Sequence, residues 1–142
     1  MYFRLTQDTA SVKVALLAKL SEAPALTSVR KWFHAEPVPV RYPASPFGWV
    51  EWAGGPKSRD SQTGKVVDDF HVVLVKKSAD SEGNEDTLIV LCSAAEAAIE
   101  ADHTLNGTTF DCYVISREVQ KIPQQDGEIA AVRLTVHTWK LL

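Results

Sequence analysis

The C-terminal segment from Glu128 to Leu141 constrains the fold most, because apolar and polar side chains alternate through its centre, from Val132 to His137. The row expected to point inward is Ala130, Val132, Leu134 and Val136. The row expected to point outward is Arg133, Thr135, His137 and Trp139. Strict alternation is typical of a β-strand with one face against the core. The segment therefore predicts a terminal strand whose second face remains available.

The residues before this strand complete a helix and hairpin unit. A helix is predicted from Asp86 or Thr87 to Asp102, and a turn at Asn106 and Gly107 leads into a strand over Thr108–Glu118. The buried stripe of the helix is Leu88, Leu91, Cys92, Ala95 and Ile99. A polar connection over Val119–Gly127 then reaches the terminal strand. We expect an antiparallel hairpin packed under the helix.

The N-terminal half predicts a first helix and a strand that carries two tryptophans. Apolar residues recur at helical spacing over Asp8–Glu22, and Pro24 ends the helix. Thr27–Glu36 is compatible with a strand, and four prolines from Pro37 to Pro46 favour an extended path. Phe47–Ala53 follows as a strand with Trp49 on one face and Trp52 on the other.

A polar loop over Gly54–Gly64 joins that strand to a long apolar one over Lys65–Lys77. Long polar loops are uncommon in compact domains unless they are functional or disordered. A continuous strand of this length would span about 43 Å, so its first end and the loop would project as an arm. The alternative is a strand broken near Asp68 and Asp69, with a floppy loop.

Both faces of the long strand are apolar near its end, since Phe70, Val72 and Leu74 alternate with Val73 and Val75. Two helices can cover one face, so the other needs the rest of the chain or a neighbouring copy. We expect one α+β domain over residues 1–142: a two-layer sandwich with a mainly antiparallel sheet of about four strands. Two helices lie on one face, with a projecting β-hairpin or loop, and residues 54–64 and 78–86 form mobile polar loops.

Charge and composition exclude several functional classes. The net charge is −3, with an excess of three positive charges before Lys65 and of six negative charges from Lys65 onward. A basic stripe interleaved with aromatic residues, which is typical of tight nucleic-acid binding, does not occur, so we do not expect such binding. No apolar run is long enough to span a membrane, so we expect a soluble protein. We also expect Cys92 and Cys112 to be buried free thiols, in a protein made in a reducing cytoplasm.

Nothing in the sequence marks an active site. The four histidines are scattered, and no metal-ligand spacing, glycine-rich phosphate loop or nucleophile elbow occurs. We therefore assign no catalytic, cofactor-binding or metal-binding residue and expect no enzyme. A Cys/His hydrolase stays open as an alternative, because such partners meet in space rather than in sequence.

The order of elements resembles the tail-terminator, or tail-completion, proteins of long-tailed bacteriophages and related head-to-tail joining proteins. The resemblance covers nearly the whole chain and includes the N-terminal helix. The segments that carry the resemblance are Phe70–Val75, the helix Thr87–Asp102 with Thr104–Gly107, Cys112–Ile115 and Ala130–Trp139. The Pro-rich stretch has no counterpart in the family pattern.

The resemblance implies a homohexameric ring at the head-proximal end of the virion tail, assembled in the host cytoplasm. Such a ring caps the tail tube protein, stops its polymerisation and joins a head-connector or stopper protein, while DNA passes through the channel without specific binding. No cofactor, catalysis or membrane is implied. The candidate interaction residues are Trp49, Trp52, Lys57, Arg59, Asp60, Val73, Val75, Arg133, His137 and Trp139. A monomeric or dimeric α+β adaptor domain is the main alternative.

Overall fold

Two helices pack on one face of a five-stranded sheet, which confirms the predicted α+β class. The computed structural model describes residues 8–38, 46–55, 65–78, 81–124 and 127–141. Its elements are helix α1 (Thr9–Glu22), a 3₁₀ turn (Pro24–Leu26), strands β1 (Trp32–Phe33), β2 (Phe47–Gly54) and β3 (Lys65–Ser78), helix α2 (Ser81–Glu100), and strands β4 (Asp111–Gln124) and β5 (Gly127–Leu141).

Helix α1 begins where the sequence places it. The side chain of Asp8 caps it, accepting from the backbone N–H of Ser11 at 3.3 Å and from the Ser11 hydroxyl at 2.7 Å. A carboxylate at this position satisfies a backbone donor that has no partner within the helix. The predicted residues Val12, Leu16 and Leu20 are fully buried against the sheet.

Helix α2 begins earlier than predicted. The sequence suggests a polar loop over residues 78–86, but the helix starts at Ser81 and Ser78 is the last residue of β3. An acidic side chain such as that of Glu85 is favourable near the start of a helix, because the helix N-terminus carries a partial positive charge. The polarity of such residues was therefore a helix-start signal as much as a loop signal.

The sheet has the order β1-β2-β3-β5-β4, so it has five strands rather than about four. The extra strand, β1, is only two residues long and pairs parallel to β2, within the segment compatible with a strand. All other pairs are antiparallel. The longest ladder joins β3 to β5 without a break, from Lys65 opposite Leu141 to Ser78 opposite Glu128.

Strands β4 and β5 form the predicted hairpin, but it is longer than the sequence indicates. Strand β4 continues to Gln124, so most of the expected polar connection over Val119–Gly127 belongs to the ladder. A register shift between Val114 and Ser116 marks a bulge. Every side chain from Ile115 to Pro123 is exposed. This part of β4 is therefore an exposed edge strand that pairs with β5, which in turn pairs with β3.

Strand β3 is continuous, which decides against a break near Asp68 and Asp69. Its first end is not a bare arm, however, because it pairs with β5 and Val66 and Val67 are buried. The prediction of a projecting arm treated the domain as a sphere, whereas the long strands β3 and β5 make the sheet elongated. The remainder of the predicted arm, residues 56–64, lies outside the described residues.

The main core lies between the helices and one face of the sheet. All four predicted inward residues of β5 are buried there, together with Phe70, Val72 and Leu74 of β3. A turn with positive φ at Leu105, Asn106 and Gly107 follows α2 and leads into β4. Glycine and asparagine tolerate that conformation, as the sequence predicts, whereas Leu105 adopts it while fully buried.

Candidate functional site

The face of the sheet opposite α1 and α2, called here the open face, carries a second apolar cluster. Its buried members are Phe47, Trp49, Val73 and Val75, and Phe33, Ile129 and Ala131 pack around them. In the described part of the chain no helix lies over this face. Since Phe70 and Leu74 are buried on the other face, β3 is apolar on both sides near its end, as predicted.

Aromatic rings organise one end of the open face. Phe47 packs edge-to-face with Phe33 at 6.1 Å between ring centroids and stacks on Trp49 at 6.2 Å. The neighbouring Gly48 lies where an added Cβ would sit 2.7 Å from the Trp32 ring and 2.8 Å from the carbonyl oxygen of Val73. The lack of a side chain at Gly48 therefore lets β1 and β2 pack closely.

A groove of about 450 Å³ crosses the open face over this cluster. Its floor includes Trp49 and Val73, and its polar walls include Glu51, Glu118 and Arg133. Nε1 of Trp49 and Nε of Arg133 are buried and have no hydrogen-bond partner among the described residues. Buried donors are seldom left without an acceptor in a finished structure, so this surface has unused hydrogen-bonding capacity.

Acidic side chains pair with histidine or arginine across the strands of the open face. Nδ1 of His71 lies 3.4 Å from Oε1 of Glu51, and Nδ1 of His137 lies 2.8 Å from Oδ1 of Asp69. Arg133 donates to Glu118 of β4. These side chains are half-buried or exposed, and pairs of this kind contribute about 0–1 kcal/mol each. Their main effect is to fix side-chain positions around the apolar floor.

Six of the ten predicted interaction residues share the open face. Val73 and Val75 face the same side of β3, and Trp49 lies beside Val73 on β2. Arg133, His137 and Trp139 alternate along β5, where the Trp139 ring packs against Phe110 at 4.6 Å and the His137 ring against Tyr113 at 5.4 Å. The outward row of the terminal strand thus forms one surface with the tryptophan of β2.

The other four predicted residues do not join this surface. Trp52 is 59% exposed on the helix side of the sheet, where its Nε1 donates to Asp68. Lys57, Arg59 and Asp60 lie outside the described residues. The prediction that both faces of β2 carry a tryptophan is correct, but the two tryptophans belong to different surfaces.

The cysteines lack the environment of a nucleophile. Both are free and buried, as predicted. Burial raises the pKa of Cys92, and it raises the pKa of Cys112 to about 12, with nearby Asp111 adding to the effect. The Cys112 thiol points at the end of α2, with Sγ 3.7 Å from the carbonyl oxygen of Ile99. A thiolate, which nucleophilic attack requires, is disfavoured at both sites.

Neither a metal-binding group nor a membrane-spanning helix is found among the described residues. Within residues 8–38, 46–55, 65–78, 81–124 and 127–141, no group of three or more His, Cys, Asp or Glu side chains is placed to hold a metal ion. None of the helices in that part of the chain is both long and apolar enough to cross a bilayer.

Sequence reasoning missed a second groove, of about 320 Å³, between α2 and β4. Leu88, Ile89 and Cys92 of α2 line it, facing Val119 of β4 and Val132 of β5. Two ion pairs span it: Arg117 with Glu96 at 3.4 Å, and Lys121 with Glu85 at 2.8 Å. The predicted strand ends at Glu118 and a polar connection is predicted from Val119 onward, whereas Val119 and Lys121 lie on β4.

No protein-family model matches the chain, and no curated protein matches it. Among solved structures, the chain is similar to one described as "Virion of native gene transfer agent (GTA) particle". The two are 13% identical, the match covers 89% of this chain and 92% of the other, and the TM-score is 0.49. A similarity this distant carries no argument about function.

Proposed function

We propose that the chain is a structural virion protein of the tail-terminator type: a subunit that assembles into a ring on the end of a phage-like tail tube. The ring stops further addition of tube protein and provides the joint to a head connector or stopper. The observation that carries the proposal is the open face, where an apolar cluster and a groove lie on the side of the sheet away from both helices.

The open face fits a subunit contact for two reasons. Its centre is aromatic and aliphatic while its margin is charged, and subunit interfaces combine an apolar core with a polar rim. It also offers Trp49 and Arg133, each with a buried donor that a neighbouring chain could satisfy. Both residue types are enriched among those that dominate binding energy.

Charge supports a heterologous contact, in which different surfaces of adjacent copies meet. The chain is positive before Lys65 and negative from Lys65 onward, so opposite ends of two copies attract. Contacts of this kind close into rings when the rotation between copies allows it. A hexamer would carry six times the −3 of one chain, about −18, so the ring as a whole lacks the positive charge that would hold DNA by its phosphates as it passes.

Electron microscopy of tail tubes mixed with the purified protein tests the proposal. We expect added ring density at one end of each tube, and tubes that no longer elongate when tube protein is supplied. Light scattering alone is less decisive, since subunits can stay monomeric until a tube end templates the ring. Tube ends without added density, at protein concentrations well above that of the ends, would reject the terminator function.

An adaptor domain with an unrelated partner is the competing function. It would use the same apolar surface, so the two differ in what they bind rather than in geometry. Binding to tube ends separates them directly. An enzymatic function has less support, because both thiols have raised pKa values.

A further inference from the structure

The open face carries two buried hydrogen-bond donors on either side of one small side chain. Trp49 of β2, Val73 of β3 and Arg133 of β5 lie opposite one another in register. Nε1 of Trp49 and Nε of Arg133 have no hydrogen-bond partner among the described residues, and Trp49 is only 5% exposed. Adjacent strands are about 4.8 Å apart, so each donor residue lies one such spacing from Val73. An occupant that satisfies this surface presents an apolar group between two acceptors.

Helix α2 has a second apolar surface, which its own sheet does not cover. Its buried residues, such as Leu91 and Ile99, belong to the main core. Among the described residues of the two helices, adjacent large apolar side chains are exposed only on α2, where Ile89 is 57% and Val90 65% exposed. This helix contains five acidic residues and no basic one, so its charged groups act only as acceptors.

The exposed side of α2 has the order of groups that the open face requires. Asp86, Val90 and Ser93 are all exposed, and they share one side of the helix because they are spaced by four and three residues. With a rise of about 1.5 Å per residue, Asp86 lies about 6 Å before Val90 and Ser93 about 4.5 Å after it. These intervals are close to the spacing of the strands, when the helix lies across them.

A single copy cannot make this contact, because α2 packs on the side of the sheet opposite the open face. Complementary surfaces on opposite sides of one subunit are what a heterologous contact requires, in which each copy binds the next. The guanidinium of Arg133 already donates to Glu118 through Nη2. A guanidinium has five N–H donors, however, so Nε remains available to a second carboxylate. The chain itself therefore supplies the partner that its open face fits.

We propose that α2 of a second copy packs across the open face. Val90 lies over Val73, and the Asp86 carboxylate accepts from Nε of Arg133. On the other side of Val73, the Ser93 hydroxyl accepts from the indole N–H of β2. The apolar sheet face is thereby covered by a helix, as such faces require. The inference rests on the proposed function, since it names the contact that joins neighbouring subunits of the ring.

Disulfide trapping in the full chain tests the contact. In the variant Val90→Cys/Val73→Cys every copy carries both halves of the contact, so mild oxidation should link copies into a ladder of dimers, trimers and larger species on a denaturing gel. Val14→Cys/Val73→Cys is the matched control, because Val14 is 60% exposed on α1. The control should give no species larger than a dimer. A folded first variant without a ladder, or an equal ladder in the control, would overturn the proposal.

Charge reversal within the disulfide variant tests the pairing of Asp86 with Arg133. Asp86→Lys and Arg133→Glu should each slow ladder formation about tenfold or more, because either change makes like charges face each other. The two changes together restore an opposite pair, so the rate should return to within about threefold of that of the disulfide variant. Unfolding midpoints measured in parallel establish that each variant is folded. Losses that simply add in the combined variant would mean that the two residues do not meet.

Tail tubes separate a failure of this contact from a failure of the proposed function. Caps on tube ends without a disulfide ladder would mean that another contact builds the ring, so this inference would be wrong and the terminator function would stand. A ladder without caps would support the contact between copies and reject the terminator function.

Discussion

Trp52 and Asp68 are joined by a hydrogen bond from Nε1 of the indole to Oδ1 of the carboxylate, at 3.0 Å. The second carboxylate oxygen accepts from the hydroxyl of Thr9, at 2.9 Å. Asp68 is only 5% exposed and lies in β3 on the helix side of the sheet. One buried carboxylate thus connects the first turn of α1, the end of β2 and β3, which explains an acidic residue within an otherwise apolar strand.

Replacing that carboxylate should destabilise the protein. Asp68→Leu leaves the Trp52 N–H and the Thr9 hydroxyl without their acceptor, at a cost of about 2–3 kcal/mol. Trp52→Phe removes one bond at an exposed position and should cost about 1 kcal/mol or less. Urea unfolding followed by circular dichroism measures both. Equal losses in the two variants would mean that the carboxylate does not connect the three elements.

Low pH should weaken the link between the helices. Oδ2 of Asp102 accepts from the backbone N–H of Asn106 at 2.9 Å and lies 3.0 Å from Nζ of Lys19. The Asn106 bond, followed by the bonds from Lys19 and Thr104, holds the pKa of Asp102 well below its usual range. A carboxyl whose pKa is lower in the folded state contributes stability above its unfolded pKa, near 4, and loses it as the pH falls further.

The variant Asp102→Asn isolates that contribution. It should cost roughly 1 kcal/mol at pH 7, where the ionised carboxylate makes its strongest bonds. The difference from the wild type should shrink steadily below about pH 4, because the carboxyl of the unfolded wild-type chain becomes protonated there while that of the folded chain stays ionised. Unfolding free energies from pH 7 to pH 2 measure it. A difference that stays constant over this range would contradict the assignment to Asp102.

The elements with strong local periodicity were predictable. Strand β5 alternates through its centre, from Val132 to His137, and the structure buries Ala130 and Leu134 and places Arg133 and His137 on the opposite face. Helix α1 carries its start signal in Asp8 and its stop signal in Pro24. In these segments local propensity and burial favour the same structure, so the sequence was sufficient.

The start of α2 and the far half of β4 were not predictable in this way, because their polar residues fit two structures. The acidic residues before Leu88 suit a loop or a helix N-terminus. Val119, Gln120 and Lys121 suit a loop or an exposed strand. The pairing of β4 with β5 and the ion pairs to α2 decide the second case. Such contacts are distant in sequence, and no local pattern reports them.

The open face was only half predictable. Alternation assigned Val73 to a second apolar face, and the same rule placed Trp139 on the outward row. That Trp49 borders the same groove as Glu118 depends on the strand order, which the sequence did not specify. The contacts of Glu51 with His71 and of Asp69 with His137 depend on strand register for the same reason.

The thiols should be inert while the chain is folded. Cys112 is 2% exposed, and its pKa of about 12 leaves almost no thiolate at pH 8. We expect neither Cys112 nor Cys92 to react with Ellman's reagent over minutes in native buffer. Both should react at once in 6 M guanidinium chloride, about three times the concentration at which a typical domain is half unfolded. Fast reaction of one thiol in the native protein would indicate an activated cysteine and reopen the hydrolase alternative.

Arg133 provides the sharpest test of the open face, because its side chain is half-exposed and its loss should leave the fold intact. Among the ion pairs described, Arg133 takes part in one, with the exposed Glu118. Such a pair contributes about 1 kcal/mol or less. If the open face is the ring contact, Arg133→Ala should lower the occupancy of tube ends at least tenfold, since truncating an interface arginine often costs more than 1 kcal/mol.

Lys140→Ala is the matched control for that experiment, since Lys140 lies on the same strand and alternates onto the other face. It removes the same charge without touching the open-face groove, so tube-end occupancy should stay within about twofold of the wild type, less than 0.5 kcal/mol. Occupancy counted in electron micrographs, with unfolding midpoints measured in parallel, separates binding from stability. Equal losses in both variants would assign the effect to net charge and would count against the open face as the ring contact.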